Sequence, residues 1–294
     1  MTDLDNLLDG AVDLHVHPAP SPFPRRLSLP EAVRQAADAG FYAIAIKSHH
    51  HSTVTDGLVL KDALGPLRLQ LLTGVALNSH VGGLNPHAVE LALGMGGRMV
   101  WFPTISSAAH IAQHSGGLTP TFPNSTISLR PETPQTILDD DGQVKPVVRD
   151  ILGIISEADA ILVCGHLDAH ETDRLIDAAR DAGVTRVLVT HPNFVIGADP
   201  TRVAAWAEKG VFIEHSICQY DWRARTYKWG LDTLMAYVEA AGAEQTILSS
   251  DLGQATNPLP VSGFRQLASE LREFGVDDRT IRELIGGSAR RLIE

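Results

Sequence analysis

Residues 11–18 read Ala-Val-Asp-Leu-His-Val-His-Pro, an apolar run that closes on two histidines one residue apart. Side chains alternate along a strand, so a period of two predicts Asp13, His15 and His17 on one face and Val12, Leu14 and Val16 on the other. Seven more short apolar runs follow, at residues 41–46, 69–76, 98–102, 160–164, 186–190, 211–214 and 246–250. Between them lie helical stretches, several ending in glycine, as at Ala39-Gly40, Ala182-Gly183 and Lys209-Gly210. Glycine is the residue expected just past a helix C-terminus. Runs of Val, Ile, Leu and Ala belong to strands buried on both faces, and strand–helix alternation implies parallel pairing. Eight such units predict an α/β fold, a (β/α)8 TIM barrel, with an open doubly wound sheet as the alternative. No GxGxxG follows the first run, which counts against the dinucleotide-binding version of that sheet.

The 294 residues are read as a single barrel domain spanning 1–294, because such barrels run to about 250 residues as one unit. One connection is too long for a plain loop. Residues 104–147 are rich in Ser, Thr, Pro and Gly and carry an Asp141-Gly142 turn signal. This predicts an insertion after strand 4, partly a small hairpin, capping the mouth of the barrel. The net charge of −11 argues against a nucleic-acid partner, which needs a concentrated basic surface. Cys164 and Cys218 sit in apolar runs and read as buried thiols of a reducing compartment. The polar, acidic first ten residues do not read as a signal peptide, and no apolar stretch reaches the roughly 20 residues that cross a bilayer. The expectation is a cytoplasmic protein with no membrane contact, acting on a small molecule, with a homo-oligomer left open.

The histidines carry the functional reading. In a barrel the large aliphatics face the helices, so His15 and His17 should enter the lumen at its C-terminal rim. Two imidazoles converging on one point suit Zn²⁺ or a similar borderline metal. His166 ends strand 5, His191 strand 6 and Asp251 strand 8, and active sites of this fold are assembled at that rim from several strands. Buried His and Asp residues are costly unless compensated, so their convergence calls for a cation or a dense hydrogen-bond network. His15, His17, His166, His191 and Asp251 are therefore the expected metal ligands. On strand 2, Ala43, Ala45, Lys47 and His49 share the inward parity while Ile44 and Ile46 face out. His110 and His114, four apart on a helix, share a face, with substrate contact or plain surface as their readings ahead of metal binding. Only one of Glu214 and His215 can point inward. Lys47, His49, His110 and Glu214 are the candidate substrate contacts, while His50 and His51 read as solvated loop. The aromatics Tyr220, Trp222, Tyr227 and Trp229 could line a pocket or a subunit contact.

His-x-His after strand 1, single histidines after strands 5 and 6 and an Asp after strand 8 resemble the ligand pattern of the amidohydrolase superfamily. Gly165-His166-Leu167-Asp168-Ala169-His170-Glu171 through Val189-Thr190-His191-Pro192 is similar to its phosphotriesterase-like and related cytosolic branches. Residues 281–293, Ile-Arg-Glu-Leu-Ile-Gly-Gly-Ser-Ala-Arg-Arg-Leu-Ile, resemble its closing helix, with Ser288 where Asn is usual. The resemblance implies a metal-dependent hydrolase with one or two divalent metals per chain, Zn²⁺ first and Mn²⁺ or Fe²⁺ as alternatives. There is one departure. Binuclear members of the superfamily carry a carboxylated Lys or a Glu at the end of strand 4, and here Met99-Val100-Trp101-Phe102-Pro103-Thr104 offers neither. Lys47 could supply the bridge if carboxylated, bind an anion, or pair with Glu214 or Asp13.

The expected chemistry is attack of a metal-activated water on an amide, lactone or other ester-type bond of a small, anionic substrate. Asp251 would be the general base, His191 a metal ligand or oxyanion stabiliser, and Lys47 the holder of a substrate carboxylate or phosphate. Three rivals stand beside it. The stretch Phe41–His49 is similar to the strand-2 motif of polymerase and histidinol phosphatase phosphoesterases, although Gly253 stands where that group has a histidine. A mononuclear decarboxylase or lyase would use the same ligands. A non-catalytic binding barrel would lack an ionisable group beside the metal.

Overall fold

The computed structural model describes residues 3–114 and 125–294. After a short helix, α1 (Asp3–Leu8), strand and helix alternate: β1 (Val12–Val16), α2 (Leu29–Asp38), β2 (Ala43–Ile46), α3 (Val54–Leu64), β3 (Gln70–Leu72), β4 (Gly74–Ala76) and α4 (Pro86–Gly94). Then come β5 (Met99–Trp101), α5 (Ala108–His114), α6 (Pro146–Glu157), β6 (Ile161–Val163), α7 (Ala169–Asp181), β7 (Val187–Thr190) and α8 (Pro200–Glu208). The chain ends with β8 (Phe212–Ser216), α9 (Leu231–Ala241), β9 (Thr246–Ser249), α10 (Pro260–Phe274), α11 (Asp278–Arg282) and α12 (Ser288–Ile293). Local chemistry sets the helix ends. Ser28 and Glu31 form a reciprocal capping box at the start of α2, and Gly183 after α7 takes φ +80.

All ladders are parallel, in the orders β1-β2-β3 and β4-β5-β6-β7-β8-β9. The eight apolar runs all become strands, and the third breaks at Thr73 into β3, paired with β2, and β4, paired with β5. The Thr73 carbonyl accepts from the N–H groups of both Arg98 and Met99 (2.8 and 3.2 Å). Next to it, a Cβ on Gly74 would overlap the Met99 carbonyl, so only glycine lets the chain cross from one partner to the other. The seam between β9 and β1 is no regular ladder. Asp251 N–H donates to the His15 carbonyl and His17 N–H to the Leu252 carbonyl, both at 2.8 Å, which draws the two strand ends together at the rim.

The lumen is filled by Val12, Leu14, Ala43, Ala45, Met99, Trp101, Ile161, Val163, Leu188 and Ile247, with Leu292 and Ile293 of α12 packed against them. Strand β2 alternates as expected, Ala43 and Ala45 inward and Ile44 and Ile46 toward the helices. Strand β1 does not. Val12 and Leu14 belong to the lumen, whereas Asp13 lies outside the sheet among Gln35, Phe41 and Val261. The register slips between Asp13 and Val16, and such an irregularity resets the parity, so His15 reaches the rim directly after lumenal Leu14. Asp13 is thus no part of the site face. Its Oδ1 accepts from the N–H groups of His15 (3.1 Å) and Ser250 (2.9 Å), helping to hold the seam.

After β5 the chain forms α5 and then, within the described residues, a turn at Asp139–Gly142 with a single antiparallel bridge between Leu138 and Val144. Ile137 beside it is buried, and its N–H donates to Glu171 of α7 (2.7 Å). Residues 115–124 of the expected insertion lie outside the described residues. The closing helices continue through a π-turn at Glu283–Gly287 into α12. No helix among the described residues is long and apolar enough to cross a membrane.

Candidate metal centre

At the C-terminal ends of the strands, one nitrogen each of His15 and His17 and one carboxylate oxygen of Asp251 lie within 4.8 Å of one another. His17 Nε2 is 3.1 Å and His15 Nε2 3.5 Å from Asp251 Oδ1. The far side of each ring is occupied. His15 Nδ1 meets Glu214 Oε1 at 2.8 Å, and His17 Nδ1 meets the Lys47 carbonyl at 3.2 Å. A carbonyl can only accept, so His17 Nδ1 carries the hydrogen, and the Glu214 carboxyl orients the His15 ring through its own Nδ1. Metal-binding imidazoles have this arrangement, with a carboxylate or carbonyl fixing the tautomer from behind. The donor set of two imidazoles and a carboxylate fits a divalent cation such as Zn²⁺.

Electrostatics agree with that fit. Burial pushes His17 and His191 down to about 3 despite the Asp251 charge beside them, and His110 falls to about 3 for the same reason. His49 and His166 are also held well below the ordinary imidazole range, chiefly by burial. All five are neutral donors at pH 7. Burial works to raise Asp251, but the neighbouring imidazoles His15 and His17 outweigh it and hold the carboxyl ionised. Its Oδ2 accepts a weak contact from Cys218 Sγ at 3.7 Å.

His166, His191, His49 and Lys47 line the same cleft. His166 and His191 lie outside the three-ligand group, with ring centroids 4.8 Å apart and that of His191 6.0 Å from His15. His191 lines the cleft, and its Nδ1 is buried without a hydrogen-bond partner among the described residues. The backbones of His191 (φ 35) and Asp251 (φ 49) are left-handed, a conformation costing a non-glycine residue roughly 1–3 kcal/mol and recurrent at functional sites. Asp159 shares it at a turn (φ 47), so the strain supports the site only together with the convergence.

Lys47 Nζ reaches His15 Nε2 at 3.1 Å and lies 5.8 Å above the Trp101 ring. Burial lowers its pKa to about 8 against the Asp251 and Glu214 charges. Of the partners weighed for it, Asp13 is excluded, being outside the sheet. Glu214 points inward and His215 outward, toward Tyr220 and Tyr237. His110 comes from α5 to meet His166, Nδ1 to Nδ1 at 2.9 Å, with His114 stacked on it at 4.1 Å. His49 Nδ1 contacts Thr104 Oγ1 at 2.9 Å. Two loop residues depart from expectation: His50 is half-buried against Phe23 and His80, and His51 pairs with Asp56 at 2.8 Å. The Phe23 contact comes from a loop and the Asp56 contact from the first turn of α3, neither of which a strand-parity argument can reach.

The cleft holds about 780 Å³ of empty space, open solvent included. Its wall also carries Arg25, Arg225 and Lys228, which strand-end reasoning missed because all three lie in loops. The only sequence signal was a small basic cluster, 223–228, in an acidic chain.

A parallel α/β barrel with its polar side chains gathered at the strand ends defines the class, and comparison with solved structures agrees. An amidohydrolase from Pseudomonas aeruginosa shares the fold, with TM-score 0.65 and 12% identity over 99% of this chain and 97% of its own. The probable dipeptidase PvdM of Pseudomonas aeruginosa gives TM-score 0.63 and 12% identity, covering 99% and 96%. The organophosphorus hydrolase of Deinococcus radiodurans gives 0.59 and 12%, covering 100% and 94%. At these identities the likeness is one of fold. The chain itself belongs to the family described as "Family of unknown function (DUF6282)", whose model matches residues 10–214. No curated protein matches it.

Proposed function

We propose that the protein is a metal-dependent hydrolase of a small anionic substrate, cleaving an amide, lactone or other ester-type bond. The observation that carries this is the triad His15, His17 and Asp251, with both histidine rings locked from behind by Glu214 and the Lys47 carbonyl. A divalent cation there, Zn²⁺ first among candidates, would supply a water of lowered pKa and a Lewis acid for the attacked oxygen. Asp251, held ionised, accepts the proton of the attacking water and delivers it to the leaving group. Glu214 keeps His15 in one tautomer. Lys47, inside the lumen, binds the substrate's anionic group, and neutral His191 either adds a ligand or stabilises the developing oxyanion. His49 and His166 line the pocket, with His110 held against His166.

The fold's known members include hydrolases of different bonds, so the substrate must be found by experiment. Zinc-loaded protein is screened against lactones, amides, carbamates and phosphoesters, with product analysis to separate hydrolysis from decarboxylation. The reading expects turnover that Asp251→Asn and His15→Ala abolish; full turnover in either variant contradicts it. Among the described residues a single group has the spacing of three metal ligands, which favours this reading over a trinuclear phosphoesterase.

A further inference from the structure

The charge of the cleft is opposite to that of the chain. The protein carries −11, yet the cleft is lined by four cations, Arg25, Lys47, Arg225 and Lys228, against one carboxylate, Asp251. None of the three wall cations makes a direct ion pair with a carboxylate among the described residues, and Arg25 feels the Asp251 charge from a distance. Several basic side chains elsewhere do pair with carboxylates, as Arg186 with Asp159, Arg223 with Asp221 and Arg272 with Asp278. Arg25 Nε is buried without a hydrogen-bond partner, and the Arg25 charge acts on Asp251, His17 and His49. For the partly buried Arg25 an unmatched donor is costly unless a ligand completes it, while Arg225 and Lys228 stand exposed at the rim of the same wall.

The wall is also built. Asn257 ties three loops together: its Oδ1 accepts from Arg225 N–H (2.9 Å), its carbonyl from Arg26 Nη1 (2.6 Å), and its Nδ2 donates to Gln254 (3.0 Å). Gln254 in turn donates to the Asp251 carbonyl (2.9 Å) and bridges the backbone of Arg25. Lys228 lies over the Phe194 ring at 4.0 Å, and that ring is 5.8 Å from His191. Lys47 sits apart from these loops, on the strand-2 side of the lumen. The cations therefore form two stations, one in the barrel beside the triad and one in the loop wall.

We infer that the substrate is a small dianion, with one carboxylate or phosphate at Lys47 and a second gripped by Arg25, Arg225 and Lys228. This rests on the hydrolase reading of the same site and names its substrate class. Arginine supplies the forked donors that grip planar or tetrahedral anions, and a pre-tied wall lowers the ordering cost of binding.

The test is calorimetric titration of zinc-loaded protein at constant ionic strength with butyrate, glutarate and phosphonoacetate, the last two distinguishing a second carboxylate from a phosphate-like group. At least one dianion should bind about tenfold or more tightly than butyrate, and Arg25→Gln should erase that advantage while leaving butyrate within about twofold. Should Arg25→Gln fold poorly, the exposed pair Arg225→Gln and Lys228→Gln gives the same readout. Equal affinity of all three anions for the wild type overturns the inference, as does a variant that weakens butyrate as much as the dianions. Zinc content, read in the same samples, separates the two claims. Zinc without a dianion preference sinks the dianion and spares the hydrolase; a preference without zinc does the reverse.

Discussion

The two ends of the same barrel are built on opposite terms. At the floor, Val12, Leu14, Ala43, Ala45, Met99, Ile161 and Leu188 fill the lumen with apolar side chains, sealed by Leu292 and Ile293. A few residues further along the same strands, the lumen holds His15, His17, Lys47, His191, Glu214 and Asp251, all but Asp251 almost wholly buried and two of them, His191 and Glu214, with an orphaned atom. Transfer of those polar groups from water is unfavourable, and the floor's burial has to offset it. The floor makes the fold and the mouth makes the chemistry, so substitutions at the two ends should fail in different ways.

The largest difference should come from Asp251→Asn, which removes the base and one ligand while keeping the shape. Turnover on any substrate found should fall roughly 10²–10⁴-fold, with the melting temperature of the metal-free protein unchanged or raised. A variant keeping wild-type kcat/KM would remove Asp251 from the site. At the floor, Ile161→Ala should cost about 2–5 kcal/mol of stability, seen as a lower denaturant midpoint, yet leave zinc stoichiometry as in the wild type. Loss of metal in the still-folded variant would show that the two ends are not separable. Between these lies Glu214→Gln, a change behind His15 only, expected to weaken zinc binding about 10–100-fold in chelator competition.

The smallest effect concerns acid. The buried His215, held at about 3 by burial, should resist protonation in the folded state but accept a proton near pH 6.5 when unfolded. Its contribution is complete above pH 6.5 and lost as pH falls toward 3, with His17, His110 and His191 acting in the same direction. His215→Phe should flatten the stability–pH slope in that window by about one proton, or ~1.4 kcal/mol per pH unit. An unchanged slope would mean that His215 is not held neutral.

The barrel was legible because the lumen imposes a repeating pattern on short strands, and the strand-end residues His15, His17, His166, His191 and Asp251 follow from it. Strand β2 obeyed the period of two through to Lys47. Strand β1 broke it, because one local irregularity moves Asp13 outside while leaving His15 and His17 at the rim. Nothing in Ala-Val-Asp-Leu-His-Val-His announces such a slip. The break at Thr73 depends on how close Gly74 comes to β5, a distance set by the partner strand. Arg25, Arg225 and Lys228 escaped because loops have no period, and only folding shows which of their residues share a wall.

Elemental analysis of protein purified without chelator bears most directly on the metal centre. The account predicts about one or more equivalents of zinc, manganese or iron per wild-type chain, and a near-complete loss in folded His15→Ala and His17→Ala variants. Wild-type protein that stays metal-free after zinc loading, or variants that hold metal as the wild type does, would contradict it.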